Sequence, residues 1–218
     1  MITSTGIGSF LSDPLSILYM LPGILIGMTV HEWAHAFVAY KLGDPTARNL
    51  GRLTLNPFAH IDLFGFLCLL FMGFGWAKPV PVNPHNFSNY KRDDILVSLA
   101  GITMNLITAF VFTFVLYIGF FKWNMYSNTA FQSIILSIVT INLSLAVFNL
   151  IPVYPLDGSH VMDSLLMHRF PKAMMFLHQY GRYILIILLI TGIVSGVLGT
   201  VVNALFRLFA GAALAVLG

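Results

Sequence analysis

Long apolar stretches separated by short polar connections dominate the chain. The first runs from Pro14 to Lys41, broken only by Pro22-Gly23 and by His31-Glu32-Trp33-Ala34-His35. Ser12-Asp13-Pro14 in front of it reads as an N-cap followed by proline at the first helical position. A helix over this stretch is about 42 Å long, enough to cross a bilayer with tilt, and Pro22 is expected to kink it. Gly43 to Pro57 is polar and turn-rich, with an alternating piece from Asn49 to Leu55 that predicts a short strand. Leu63 to Trp76 is apolar over only about 14 residues, which suits a re-entrant or interfacial element better than a span. Lys78-Pro79-Val80-Pro81-Val82-Asn83-Pro84 cannot be helical, because its prolines remove donors and force extended geometry. Asp93-Asp94 opens a second span running to Phe121, and a third runs from Thr129 to Leu150, stopping at Ile151-Pro152. Pro155-Leu156-Asp157-Gly158 is a turn before a short helix, Ser159 to His168. Tyr183 to Leu217 is either one broken helix or two elements.

Composition agrees with this pattern. Of the 218 residues 58% are hydrophobic and only 9% charged, whereas a soluble domain carries roughly 25% charged residues. The fold class is therefore an all-α integral membrane bundle of about four to six hydrophobic helical segments, with short re-entrant or extended (β-like) pieces. A single transmembrane domain over residues 1–218 is expected, with the motifs in 24–166 and C-terminal helical segments in 180–217. The net charge of +3 is scattered over loops, which excludes a nucleic-acid partner and fits basic loops on the cytoplasmic face. Cys68 is the single cysteine, so neither a disulfide framework nor a thiolate metal site exists. The first stretch lacks a basic leader and is expected to be retained as a helix.

The basic residues also set an orientation. Lys41, Arg48, Arg52, Lys78, Lys91 and Arg92 fall between the first and second spans, and Arg169, Lys172 and Arg182 follow the third. Only Lys122 lies between the second and third. The positive-inside rule then places the N-terminus outside and both basic regions in the cytoplasm. This requires Leu63–Trp76 to return to the side it entered from.

His31-Glu32-Trp33-Ala34-His35 matches H-E-x-x-H, in which two histidines one turn apart face a metal and the intervening glutamate can take a proton from water. Glu32 is the only glutamate of the chain. A carboxylate at bilayer depth costs roughly 2.5–3.5 kcal/mol on insertion scales, so such residues default to function. A catalytic zinc needs a third protein ligand, and Asp157, Asp62, His60, His85, His160 and Asp163 are the candidates. Asp157 is favoured because it follows a helix broken by two prolines, and non-helical backbone at membrane depth is tolerated where it lines a cavity. Its span also ends in the leaflet that His31 and His35 occupy, about 9–15 Å below the surface.

These residues resemble the site-2 protease family of intramembrane metalloproteases. The resemblance rests on His31-Glu32-Trp33-Ala34-His35 and Asn149-Leu150-Ile151-Pro152-Val153-Tyr154-Pro155-Leu156-Asp157-Gly158. Ala100-Gly101-Ile102-Thr103-Met104-Asn105 is similar to the family's small-residue motif, and Lys78–Pro84 to a loop of its small prokaryotic members. It implies one zinc ion held by His31, His35 and Asp157, with Glu32 as general base and transmembrane proteins as substrates in a prokaryotic cell membrane. The chain has neither a PDZ nor a CBS module, and no proline follows Gly101.

An oxyanion donor is expected from Asn105 or Asn149, with helix packing and satisfaction of freed backbone groups as their respective alternatives. The pieces near Leu50–Leu55 and Lys78–Asn83 are expected to hold an unwound substrate by strand addition. His160 reads as interfacial or as a support to the metal site. His60 and Asp62 read as a turn and N-cap, and His85, His168 and His178 as solvent-facing. Trp33 reads as packing surface, and Gly192, Gly196 and Gly199 as close helix contact within the chain or in a homo-oligomer. The rival functions are a membrane zinc hydrolase of a lipid or prenyl-modified substrate and a metal transporter. The helical break and strand-like pieces favour a peptide over the first, and transport gives no reason for a carboxylate between two ligands.

Overall fold

The computed structural model describes residues 14–72 and 75–218, so the cap expected at Ser12-Asp13 lies outside the described residues. The chain forms α1 (Pro14–Lys41), α2 (Thr46–Asn49), α3 (Leu63–Met72), α4 (Tyr90–Phe121), α5 (Thr129–Asn149), α6 (Asp157–Leu166), α7 (Pro171–Ile190) and α8 (Ile193–Leu217). Five of these, α1, α4, α5, α7 and α8, are long and apolar enough to cross a membrane. The expected all-α bundle is what the chain forms. Pro22 sits inside α1 without ending it.

Helix ends follow local chemistry. α4 begins three residues earlier than the Asp93-Asp94 signal, because the cap is Asn89. Its side chain accepts from the Arg92 N–H at 3.2 Å, and Asp93 returns the favour by accepting from the Asn89 N–H at 3.0 Å. Asp93 is therefore half of a reciprocal cap rather than the helix start. Asn128 caps α5 through the Phe131 N–H at 2.9 Å. The C-terminal apolar stretch resolves into two helices and starts earlier than expected, at Pro171. It breaks at Gly192, whose φ of 74° is left-handed and open to glycine at little cost.

Leu63–Trp76 does return to its starting point. Ile61 and Ala77 form an antiparallel bridge, and the Lys78 N–H donates to the His60 carbonyl at 2.9 Å. With its two ends paired, the segment cannot cross a bilayer. Asp62 caps α3 through the Gly65 N–H at 2.8 Å, as expected. The strand expected over Asn49–Leu55 does not form: α2 takes its first residue, and the bridge at Ile61 is the one β pairing among the described residues. Arg52 explains the miss. Its side chain turns inward and is buried while Leu50 and Leu55 are exposed, so the apolar–polar alternation there reports no buried apolar face.

The core lies where α1, α4 and α5 meet. α1 and α4 run antiparallel, since His35 meets Val97 while His31, one turn earlier, lies against Gly101, one turn later. Ala109 of α4 and Val139 and Leu143 of α5 form a fully buried seam, with Val202 of α8 against it.

Candidate metal centre and active site

His31 and His35 share one face of α1, and Asp157 opens α6. Helix α5 stops at Asn149, the chain turns through Pro152 and Pro155, and α6 packs against α4, which delivers the carboxylate to the two rings. Asp157 Oδ2 lies 3.1 Å from His31 Nε2 and 3.4 Å from His35 Nε2, and the two nitrogens are 3.0 Å apart. His35 Nδ1 lies 2.7 Å from the Val97 carbonyl oxygen. A carbonyl only accepts, so Nδ1 carries the proton and Nε2 presents its lone pair. Asp157 Oδ2 is buried without a hydrogen bond. Electron-pair donors facing one another across about 3 Å repel unless a cation lies between them. Ligands 2.0–2.1 Å from a tetrahedral zinc sit roughly 3.3–3.4 Å apart, so these three side chains fit that ion.

Of the other candidate third ligands, none joins the group. Asp62 caps α3, Asp163 pairs with His178, and His85 is exposed. His60 is fully buried but donates from Nε2 to the Thr54 carbonyl at 2.8 Å. His160 is exposed at the cavity wall. Trp33 stacks on Phe37 at 5.0 Å, away from the site, as packing surface.

Glu32 is buried beside the triad, and its Oε2 accepts from the Val80 N–H at 2.7 Å. Val80 belongs to the proline-rich segment, which runs non-helically from Ala77 to Asn83 across the site. A second set of side chains, which sequence reasoning missed, fixes this segment. Arg52 donates to the carbonyls of Lys78 at 2.6 Å and Pro79 at 3.2 Å. No carboxylate pairs with Arg52 among the described residues, so these dipoles are its counter-charge. Asp44 accepts from the Asn83 N–H and the Asn86 amide, each at 2.7 Å, and from Thr46. Burial raises the Asp44 pKa, but these donors outweigh it and hold the pKa below the usual carboxylate value. Nothing in the spacing of Asp44, Arg52 and Val80 signals that they converge; only the isolated arginine within an apolar alternation hinted at it.

This corrects the strand-addition expectation for Lys78–Asn83. Of the four N–H groups between 78 and 83, those of Lys78, Val80 and Asn83 are already engaged. Arg52 occupies two of the carbonyls. The segment is spent on holding itself over Glu32, and little of its edge remains to pair with a peptide.

A cavity of about 920 Å³ opens beside the triad. Asn149 lies on its wall, with its amide donating to the Leu145 carbonyl at 3.0 Å. Asn105 is fully buried in α4 and off the wall, and its amide has no partner. Gly101, one turn before it, leaves room for the rings. A Cβ there would come within 2.6 Å of both His31 Cε1 and His35 Nε2.

The comparisons with known proteins bear on the family. Residues 117–191, which include the segment carrying Asn149 and Asp157, match the model of peptidase family M50. YwhC of Bacillus subtilis (strain 168), which bears a zinc-metalloprotease name, is 40% identical over 89% of this chain and 91% of its own length. Rip2 of Mycolicibacterium smegmatis (strain ATCC 700084 / mc(2)155), also carrying a zinc-metalloprotease name, is 30% identical over 80% of this chain and 67% of its length. Rip2 of Mycobacterium tuberculosis (strain ATCC 25618 / H37Rv) is 28% identical over 87% and 73%. No solved structure matches. With five apolar helices around a His-His-Asp group, and a relative of this identity matched over nearly its whole length, the chain belongs to peptidase family M50, the site-2 protease family of membrane zinc metalloproteases.

Proposed function

We propose that the chain hydrolyses a peptide bond within or next to a transmembrane segment of a membrane-protein substrate, using one zinc ion held by His31, His35 and Asp157. The observation that carries this reading is the convergence of three ligand atoms within 4.8 Å of one another beside the buried carboxylate of Glu32. Zinc supplies Lewis acidity there, acidifying water and polarising a carbonyl. Glu32 is the general base. The Val80 N–H holds its Oε2 and so orients the carboxylate, leaving Oε1 to take the proton of water and return it to the leaving amine. Val97 holds the His35 ring through Nδ1, as a support to a metal ligand does. Asn149, whose amide has Leu145 as its one partner among the described residues and which lines the cavity, is the donor best situated for the oxyanion. Asn105 has no such access.

The basic loops favour an N-terminus outside and a site toward the cytoplasm, and the paired ends of Leu63–Trp76 are consistent with that arrangement. The test is purification in detergent with metal analysis, followed by cleavage of synthetic transmembrane peptides. Glu32→Gln is expected to keep zinc and lose cleavage by about 10²–10⁴-fold, and Asp157→Ala to lose both. Full cleavage by Glu32→Gln would end the proposal. Cleavage of a lipid ester with no action on peptides would favour the rival hydrolase.

A further inference from the structure

The cavity holds a third carboxylate, that of Asp94, which the mechanism above does not use. Asp94 is 9% exposed and lies on the cavity wall. Its Oδ2 accepts from the Ser164 hydroxyl at 2.8 Å, and no partner reaches Oδ1 among the described residues. Neither Lys91, one turn away on α4, nor His160 on the same wall forms an ion pair with it, and no lysine or arginine lines the cavity. Asp157 and Glu32 have roles at the triad, and Asp94 is the carboxylate on the cavity wall that neither role uses. Buried charges in proteins are paired or neutralised. The described residues provide this one with no cation, and the cavity is its opening to a ligand.

The position of Asp94 says which ligand. Ile17, Met20, Ile24 and Met28 give the cavity an apolar lane along α1 that leads to His31, about 21 Å at 1.5 Å per residue. Because α1 and α4 are antiparallel and Val97 meets His35, Asp94 lies about one turn beyond His35, at the end of the bundle opposite the lane. A transmembrane segment resting in the lane brings its flanking residue past Glu32 to Asp94. Transmembrane helices carry lysine and arginine at their cytoplasmic flank.

We infer that Asp94 forms a subsite for a lysine or arginine side chain flanking the substrate's transmembrane segment, and so sets where along the substrate cleavage falls. This rests on the protease reading above. A charge-assisted bond to a buried carboxylate accounts for about ten- to hundredfold in specificity. In the test, a single-span peptide carries lysine, norleucine or glutamate at successive positions around the scissile bond, and kcat/KM is measured for the full-length enzyme. The expected result is a preference of at least about tenfold for lysine over norleucine at one position, with glutamate worst. Asp94→Asn is expected to bring that ratio close to one. Asp94→Glu is expected to retain the preference, and so is Ser164→Ala, which removes the hydroxyl but keeps the charge.

Absence of a lysine preference in the wild type, or its persistence in Asp94→Asn, overturns the subsite. Loss of the preference in Ser164→Ala as complete as in Asp94→Asn would also overturn it, since Asp94 would then serve only to pin α6. Cleavage of the norleucine peptide by wild type and not by Glu32→Gln keeps the protease reading standing whatever the lysine ratio, so the two failures are separable.

Discussion

The first three spans and the last two are equally apolar to the eye, yet they are built differently. In α4 44% of the most apolar window is buried within the protein, against 17% in α7 and in α8. Lipid is as apolar as leucine, so helices in a bilayer are not driven together by the hydrophobic effect; small residues and polar contacts decide which ones pack tightly. α1, α4 and α5 have both, with Gly23, Gly27 and Gly101 at their contacts and His35 bonded to the Val97 carbonyl. α7 and α8 present Ile186, Ile187, Ile190 and Val197 outward. Among the described residues the candidate metal centre sits against the tight half, with His31 and His35 on α1 backed by α4.

The sharpest way to break this contrast is to add one methyl group in each half. Gly101→Ala puts a Cβ within 2.6 Å of both histidine rings. It is expected to weaken zinc binding by about 10–100-fold, the usual cost of disturbing the surroundings of a metal ligand. Competition with a chromogenic chelator would measure it. Next comes Arg52→Ala, which frees the Lys78 and Pro79 carbonyls and with them the grip on Val80. Cleavage is expected to fall about tenfold while zinc stoichiometry stays at the wild-type value, consistent with the loss of hydrogen bonds from a charged group. Zinc loss in parallel with activity would mean that Arg52 supports the whole site rather than Glu32.

Asp44→Asn tests the outer fastening of the same segment. The Asp44 pKa is depressed in the folded state, so its stabilisation is present above the ordinary value near 4 and is lost as pH falls through the folded value. The variant should melt below the wild type at pH 7, and the gap should close as pH falls below about 4. The smallest effect is expected from Gly196→Ala in α8, where an added Cβ meets nothing within 4 Å. Zinc content and cleavage should stay within about twofold of the wild type, as for a surface change.

The side chains that converge at the candidate centre were the most legible in the sequence. His31, Glu32 and His35 stand on one helical turn, and Asp157 follows two prolines that break a span; both are local patterns whose physics is local. The return of Leu63–Trp76 to the side it entered from was legible in its short length and in the basic residues that flank it. The strand expected at Asn49–Leu55 was misread because alternation reports a buried face only when the inward residues are apolar, and here the inward residue is Arg52. The edge expected at Lys78–Asn83 was extended but already occupied. A hydrogen-bond partner 48 residues away, as Val80 is from Glu32, leaves no trace in either residue's neighbours.

By itself the sequence determined that this chain lives in lipid, roughly where its long helices run, and that His31 and His35 share one face of α1. These follow from interactions between residues three or four apart and from the cost of leaving polar groups unpaired in hydrocarbon. Only the tertiary structure decided that Asp157 reaches those rings, that Arg52 and Asp44 hold a backbone segment over Glu32, and that Asp94 has no cation beside it among the described residues. Those are contacts between distant parts of the chain, set by how close α1, α4 and α5 can approach, and that closeness depends on all three helices at once.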